Sequence, residues 1–149
     1  MTPLLHNEFA QWGAVFSRDG KRLAFVSAES GRPEAYVQAF VSVPSPQVIV
    51  PRRQVSKEGA WIVRWRSDGR ELFYVDTNNW LYTVPVEGPL RFGEPQRLFR
   101  IAGTAQYGTT SDFQFDVAPD GRRFIMSTSG SAAPPPFVVI ENWQGKFGR

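Results

Sequence analysis

Short runs of alternating apolar and polar residues, separated by Asp-Gly pairs, make up most of the chain. The pairs at Asp19, Asp68 and Asp120 lie 49 and 52 residues apart. Apolar residues stand three positions before each Asp and four and six positions after it: Phe16, Leu23 and Phe25; Trp65, Leu72 and Tyr74; Val117, Phe124 and Met126. Because Asp-Gly between alternating apolar residues favours a tight hairpin, each segment is predicted to open with two antiparallel strands.

A third and a fourth strand are predicted after each hairpin. The third covers 34–40, 80–86 and 137–142. The fourth begins at Gln47 and at Gln96, in both cases 28 residues after the Asp of its own turn. In the third segment it would begin near residue 148, at the end of the sequence. Four antiparallel strands that recur every ~40–50 residues are typical of β-propeller blades.

The predicted fold class is all-β: a β-propeller segment of about three four-stranded antiparallel blades, the third lacking its last strand. Within one domain, 1–149, blade 1 covers about 9–50, blade 2 about 60–100 and the partial blade 3 about 112–143. A β-sandwich with coincidental Asp-Gly turns is the alternative. It does not explain the matched 28-residue offset, so the propeller is preferred.

Composition fits a folded domain and excludes several kinds of site. The 149 residues are 42% hydrophobic and include 13 Gly and 12 Pro, which is typical of turn-rich β structure. Cysteine is absent, and the single histidine, His6, cannot build a multi-histidine metal site. We therefore expect no cofactor and no metal. No apolar run approaches the ~20 residues that cross a bilayer, so membrane insertion is not expected either.

The three blade starts resemble the repeats of TolB-type, WD-repeat-like propellers: they read FSRDGKRLAFVS, WRSDGRELFYVD and VAPDGRRFIMST. The stretch ESGRPEAYVQAF and the tail PFVVIENWQGKFGR extend the resemblance. The order of segments is similar to the C-terminal propeller end of bacterial membrane serine/threonine kinases and of uncharacterised TolB-like proteins. The resemblance implies an interaction role outside the cytoplasm, although no signal peptide is visible and the localisation stays open.

Three blades leave open sheet edges, which pair readily with other chains. The resemblance implies six or more blades in a complete ring. We therefore expect the chain to associate with itself, as a homodimer or another ring-closing homo-oligomer. In such a ring, residues 1–8 would donate a strand to the partner's third blade. The alternative is that the chain is a fragment of a longer propeller.

Strand alternation sorts the loops onto two faces. The turn face carries the Asp-Gly turns and the connections between third and fourth strands. The loop face carries 28–33, 77–79 and 129–136, with the blade connections 51–59 and 101–112. Loops on a rigid scaffold commonly bind ligands. The candidate ligand-binding residues are the polar side chains of the loop face: Glu29, Arg32, Arg52, Arg53, Glu58, Asn78, Asn79, Tyr107 and Asp112.

Catalytic patterns are weak. The sequence has no Gly-x-Ser-x-Gly elbow, and His6 is the only histidine available to a triad. Asp112, Asp116 and Asp120 recur every four residues, but in a segment typical of a strand entering a turn. We therefore predict a non-catalytic scaffold that binds a protein, peptide or glycan on the loop face. The alternatives are an accessory propeller of a prolyl-oligopeptidase-like hydrolase and a small hydrolase with its site on that face.

Arginine and tryptophan positions allow two further interpretations. Arg64 and Arg66 alternate with apolar residues, which indicates one solvated and one buried face of a strand rather than a nucleic-acid surface. The near balance of 17 basic and 14 acidic residues agrees, so no nucleic-acid partner is expected. Trp12 and Trp143 would line a ligand surface or, preferably, an assembly interface, where aromatic residues are enriched.

Overall fold

The computed structural model describes residues 8–41, 47–101, 115–127 and 137–141. Over these ranges the chain forms strands and turns, and no helix is long and apolar enough to cross a membrane. The strands are β1 (Gln11–Phe16), β2 (Arg22–Ser27), β3 (Glu34–Val41), β4 (Gln47–Gln54), β5 (Ile62–Trp65), β6 (Glu71–Val75), β7 (Trp80–Pro85), β8 (Gln96–Arg100), β9 (Phe115–Val117), β10 (Arg123–Ser127) and β11 (Phe137–Glu141).

The strands form three antiparallel sheets, one for each Asp-Gly turn. Blade 1 has the order β1-β2-β3-β4 and blade 2 the order β5-β6-β7-β8. Blade 3 contains β9, β10 and β11, with β10 in the middle. The all-β propeller prediction is confirmed. The fourth strand predicted to be missing from blade 3 concerns residues near 148, outside the described residues.

The Asp-Gly turns adopt the conformation that the sequence predicts. Their glycines have φ in the left-handed region, which costs glycine little: 66° at Gly20, 72° at Gly69 and 68° at Gly121. The Asp19 carboxylate accepts hydrogen bonds from Ser17 Oγ at 2.6 Å and from the Lys21 N–H at 3.1 Å. These bonds lower the pKa of Asp19, so this carboxylate fixes the turn in its charged form.

The hydrophobic core lies between neighbouring blades, and we call each such contact a seam. β5 packs between β1 and β9, which places the first strands of the blades side by side. The seam between blades 1 and 2 buries Ala24, Ala35, Val37, Val55, Ala60, Val63, Leu72, Tyr74 and Val84. The seam between blades 2 and 3 buries Phe73, Val75, Leu81, Phe99, Ile101, Phe115, Phe124 and Met126. Alternate residues of one strand thus face opposite seams, as the pleat requires.

β4 is longer than predicted and continues past Pro51. Val37 pairs with Arg53 and Ala39 with Ile49, so the register shifts around Pro51. Proline cannot donate a ladder hydrogen bond, but an outer strand with a bulge tolerates it. The prediction that residues 51–54 belong to a loop is therefore wrong, and Arg52 lies in a strand.

One prediction about an inner-strand residue is also wrong. Arg64 does not lie on a solvated face, because its guanidinium sits over the Phe115 ring of blade 3 at 5.8 Å. Burial lowers the pKa of Arg64. Trp12 donates its Nε1–H to the Trp61 carbonyl at 2.9 Å, so it closes the seam between blades 1 and 2 within one chain. Trp143 lies outside the described residues.

Candidate functional site

The described part of the loop face consists of three adjacent segments: the β2–β3 loop, the β4–β5 connection and the β6–β7 turn. The Ala60 N–H donates to the Pro33 carbonyl at 2.9 Å, which joins the first two segments. Thr77 Oγ1 donates to the Glu58 carbonyl at 3.5 Å, which joins the second and third. A Cβ on Gly59 would lie 2.8 Å from Thr77 Cγ2, so only glycine permits this close approach.

A fully buried carboxylate, Glu34, organises this face. Its Oε1 accepts a hydrogen bond from Arg32 Nε at 2.6 Å. Its Oε2 accepts hydrogen bonds from Ser56 Oγ and, at 3.1 Å, from the Gly59 N–H. Ser56 Oγ in turn accepts the Ala35 N–H at 2.8 Å. Because buried charges need such partners, the Glu34 network locks the β4–β5 connection onto blade 1.

A second acidic group, Glu29, lies at the outer end of the loop face. It forms an ion pair with Arg52 on β4. Beside this pair, Tyr36 donates its hydroxyl to Gln54 Oε1 at 3.4 Å. Burial raises the pKa of Tyr36, and the Glu29 charge adds to the effect. The structure therefore brings together two candidate residues from separate segments, Glu29 and Arg52.

The β6–β7 turn is built around another buried carboxylate, Asp76. Asp76 Oδ1 accepts the N–H groups of Asn78 at 2.8 Å and of Trp80 at 2.7 Å. Asn79 adopts a positive φ of 66°, which asparagine tolerates better than most residues. The Asn78 carbonyl accepts a hydrogen bond from Arg100 Nε at 3.3 Å. The two candidate asparagines thus shape the turn through their backbone.

Two stacked tyrosines lie on β6 and β7. The rings of Tyr74 and Tyr82 are 4.9 Å apart and nearly parallel. Burial raises the pKa of Tyr74 strongly, and the neighbouring Tyr82, Asp76 and Glu34 raise it further. The Tyr74 ring belongs to the buried core of the seam between blades 1 and 2.

The other candidate residues are less connected. Arg53 and Glu58 are exposed. Tyr107 and Asp112 lie outside the described residues. Sequence reasoning missed Glu34 and Asp76, the two buried acids of this face. In the sequence, Asp76 is marked only by its position directly before the polar run 77–79. Glu34 is marked only by its position at the start of a predicted strand.

Arg32, Arg53 and Lys57 place exposed cationic groups on the loop face, and the carboxylate that pairs with Arg32 is buried. The Glu34 side chain is 1% exposed, whereas that of its partner Arg32 is 56% exposed. Lys57 is 64% exposed and pairs with Glu94, which lies in the β7–β8 connection. Within the described ranges, no group of three or more His, Asp or Glu residues is arranged to hold a metal ion.

Three blades stacked through their first strands, with a polar loop face, define a β-propeller segment. Its solved neighbours are propellers: an oligogalacturonate lyase in complex with manganese, with a TM-score of 0.61 at 14% identity, and an oligogalacturonate lyase from Vibrio parahaemolyticus, with 0.57 at 14%. A third is TolB from Acinetobacter baumannii, with 0.45 at 14% identity, covering 93% of this chain and 43% of that one.

The two lyase likenesses confirm the predicted propeller resemblance as one of fold. They cover 91% and 95% of this chain but only 36% and 41% of the two lyase chains, so the chain spans well under half of those proteins. No protein-family model matches the sequence, and no curated protein is significantly similar to it.

Proposed function

We propose that the chain is a non-catalytic β-propeller scaffold that binds an anionic ligand on its loop face and closes its ring with a second copy of itself. The observation that supports binding is the arrangement of charge. On this face the buried carboxylates of Glu34 and Asp76 accept hydrogen bonds from backbone N–H groups. The Arg32 side chain, by contrast, is 56% exposed to solvent.

The loop face suits recognition because its cations are held in place before a ligand arrives. Arg32 is fixed by Glu34 and by the Lys57 carbonyl. Arg52 is fixed by Glu29. Because these side chains are already ordered, ligand binding loses little side-chain entropy. Guanidinium groups also pair well with carboxylates. An acidic glycan is the ligand class to test first, since the lyase neighbours are named for oligogalacturonate.

The catalytic alternatives have less support from the described residues. A general acid or base needs a carboxyl group that can exchange protons with a substrate. Glu34 and Asp76 instead accept hydrogen bonds from the backbone and from Arg32, and Glu29 is paired with Arg52. An accessory propeller of a hydrolase, or a small hydrolase, stays the alternative function because the lyase neighbours are enzymes.

Arg52→Ala is expected to weaken the binding of oligogalacturonides by about tenfold or more, because one charge-assisted hydrogen bond is worth roughly 1.5–3 kcal/mol. The measurement is isothermal titration calorimetry with oligogalacturonides of defined length. Added salt should weaken binding by the wild-type chain, because the attraction is ionic. The matched control is Arg91→Ala, an arginine 80% exposed that pairs with Glu87 in the β7–β8 connection.

A turnover assay on the same samples separates a scaffold from an enzyme. We expect binding without release of an unsaturated uronate, with and without added manganese. Turnover that disappears in Glu58→Ala, with an unchanged melting curve, would contradict the scaffold proposal. Equal binding by wild type and Arg52→Ala would contradict the loop-face site.

A further inference from the structure

The seam between blades 1 and 2 contains a contact between an arginine and a turn glycine. The Arg22 guanidinium lies over the Trp65 ring at 4.8 Å. Its Nη2 is 3.0 Å from the position that a Cβ on Gly69 would occupy. The Arg22 side chain is only 13% exposed. Arg22 of blade 1 therefore covers the Asp-Gly turn of blade 2.

The seam between blades 2 and 3 contains a similar contact, but its arginine, Arg66, precedes the Asp of its own turn, whereas Arg22 follows the Asp of its own turn. Arg66 Nε lies 2.9 Å from the position that a Cβ on Gly121 would occupy. Ser67 Oγ donates a hydrogen bond to the Pro119 carbonyl at 2.8 Å in the same place. Arg66 is held by Glu71, whose Oε2 lies 2.8 Å from Arg66 Nη1. In both described seams, a guanidinium packs on the turn glycine of the following blade.

Blade 1 has the same turn, exposed on the side away from blade 2. Apart from Gly20 and its two neighbours in the chain, no described atom lies within 4 Å of the position that a Cβ on Gly20 would occupy. Phe16 stands at the position of Trp65 in the Asp-Gly frame and is 52% exposed. The Phe40 ring packs edge-on against it, with centroids 4.9 Å apart. We call Phe16, Gly20 and Phe40 the leading patch.

Among the described residues, that side of blade 1 is open at its turn end. Leu23, Phe25 and Tyr36, which share it, are already buried at 3%, 0% and 4% exposure. A partner on this side would therefore meet blade 1 beside the Asp-Gly turn rather than along the whole sheet.

Blade 3 exposes the matching half of the contact. Arg123 stands at the position of Arg22, and each forms an ion pair with the Asp three residues before it, at 3.2 Å for Arg123 and 3.8 Å for Arg22. Arg123, however, is 52% exposed. Ile125 lies on the same side of β10 and is 43% exposed. In the Asp-Gly frame it corresponds to Phe73 of blade 2, which is buried in the seam between blades 2 and 3. Both residues line a depression of about 280 Å³ beside Pro119. We call Arg123 and Ile125 the trailing patch.

We propose that the trailing patch of one copy docks on the leading patch of a second copy, with Arg123 against Gly20 and over Phe16. This inference rests on the ring closure proposed above and assigns its contact. The occupant is a second copy because the two patches carry the arginine, aromatic and glycine positions that meet inside the chain at the blade 1–2 seam. Two copies related by a two-fold axis make the contact twice, giving six blades.

Chemical cross-linking tests the contact directly, because the wild-type chain has no cysteine. Lys21→Cys and Arg122→Cys place thiols beside the leading and trailing patches and leave the proposed contact residues intact. We expect a short bis-maleimide to link the two variants to each other after mixing and exchange of subunits. Neither variant alone should be linked, because the contact joins different residues on the two copies.

The outcomes separate the contact from the ring. Linking of Lys21→Cys to itself at equal yield would overturn the head-to-tail arrangement. The pair Lys21→Cys and Glu94→Cys is the background control. If Lys21→Cys and Arg122→Cys are linked no more than this control pair while light scattering still shows a dimer, the proposed contact is wrong and self-association stands. A monomer in both experiments would overturn both.

Discussion

Phe73→Ala is expected to lower the free energy of unfolding by about 3–5 kcal/mol, the usual cost of truncating a buried phenylalanine. Phe73 is fully buried between blades 2 and 3, and its ring packs edge-on against Phe124 with centroids 5.1 Å apart. The substitution leaves a cavity in the middle of this seam. Denaturant unfolding at one fixed protein concentration measures the loss, because self-association makes stability depend on concentration.

Phe9→Ala is the matched control for Phe73→Ala. Phe9 is 43% exposed, so its removal should cost clearly less than the removal of the fully buried Phe73. If both variants lost equal stability, the blade 2–3 seam would not be the core of the fold.

Glu34→Ala is expected to lower the free energy of unfolding by about 2–3 kcal/mol, because it leaves a buried N–H and a buried hydroxyl without their acceptor. The N–H belongs to Gly59 and the hydroxyl to Ser56. Arg32 contributes less to the loss, since its exposed guanidinium can turn to water. Glu34→Gln should lose less than Glu34→Ala, because an amide keeps one acceptor oxygen and nearly the same shape.

Glu94→Ala is the control for a surface carboxylate. Glu94 is 82% exposed and pairs with Lys57, so its loss should change stability by less than about 0.5 kcal/mol.

Glu34→Ala should also weaken oligogalacturonide binding through the loss of order around Arg32. Wild-type stability in Glu34→Ala would contradict the role given to this network.

The sequence predicted the strands well because the turn chemistry is local. An Asp-Gly turn needs only a side-chain acceptor and a glycine at positive φ, and both are visible in four residues. The matched offset to Gln47 and Gln96 then placed the fourth strands correctly.

The site was harder to predict because it depends on contacts between distant segments. Glu34 has the sequence context of an ordinary strand start, and its partner Gly59 lies 25 residues away. The sequence pattern predicts Arg52 in the connection 51–59, but the bulge opposite β3 lets β4 continue past Pro51. Phe16 occupies a core position of the repeat but is 52% exposed, whereas Leu23 and Phe25 on the same side of blade 1 are buried.

Light scattering coupled to size-exclusion chromatography on the 149-residue chain tests the ring-closing scaffold most directly. We expect a single species with twice the mass of one chain, stable on dilution, as a closed six-blade ring requires. A monomer at every concentration, or a polydisperse series of larger species, would contradict the closed ring.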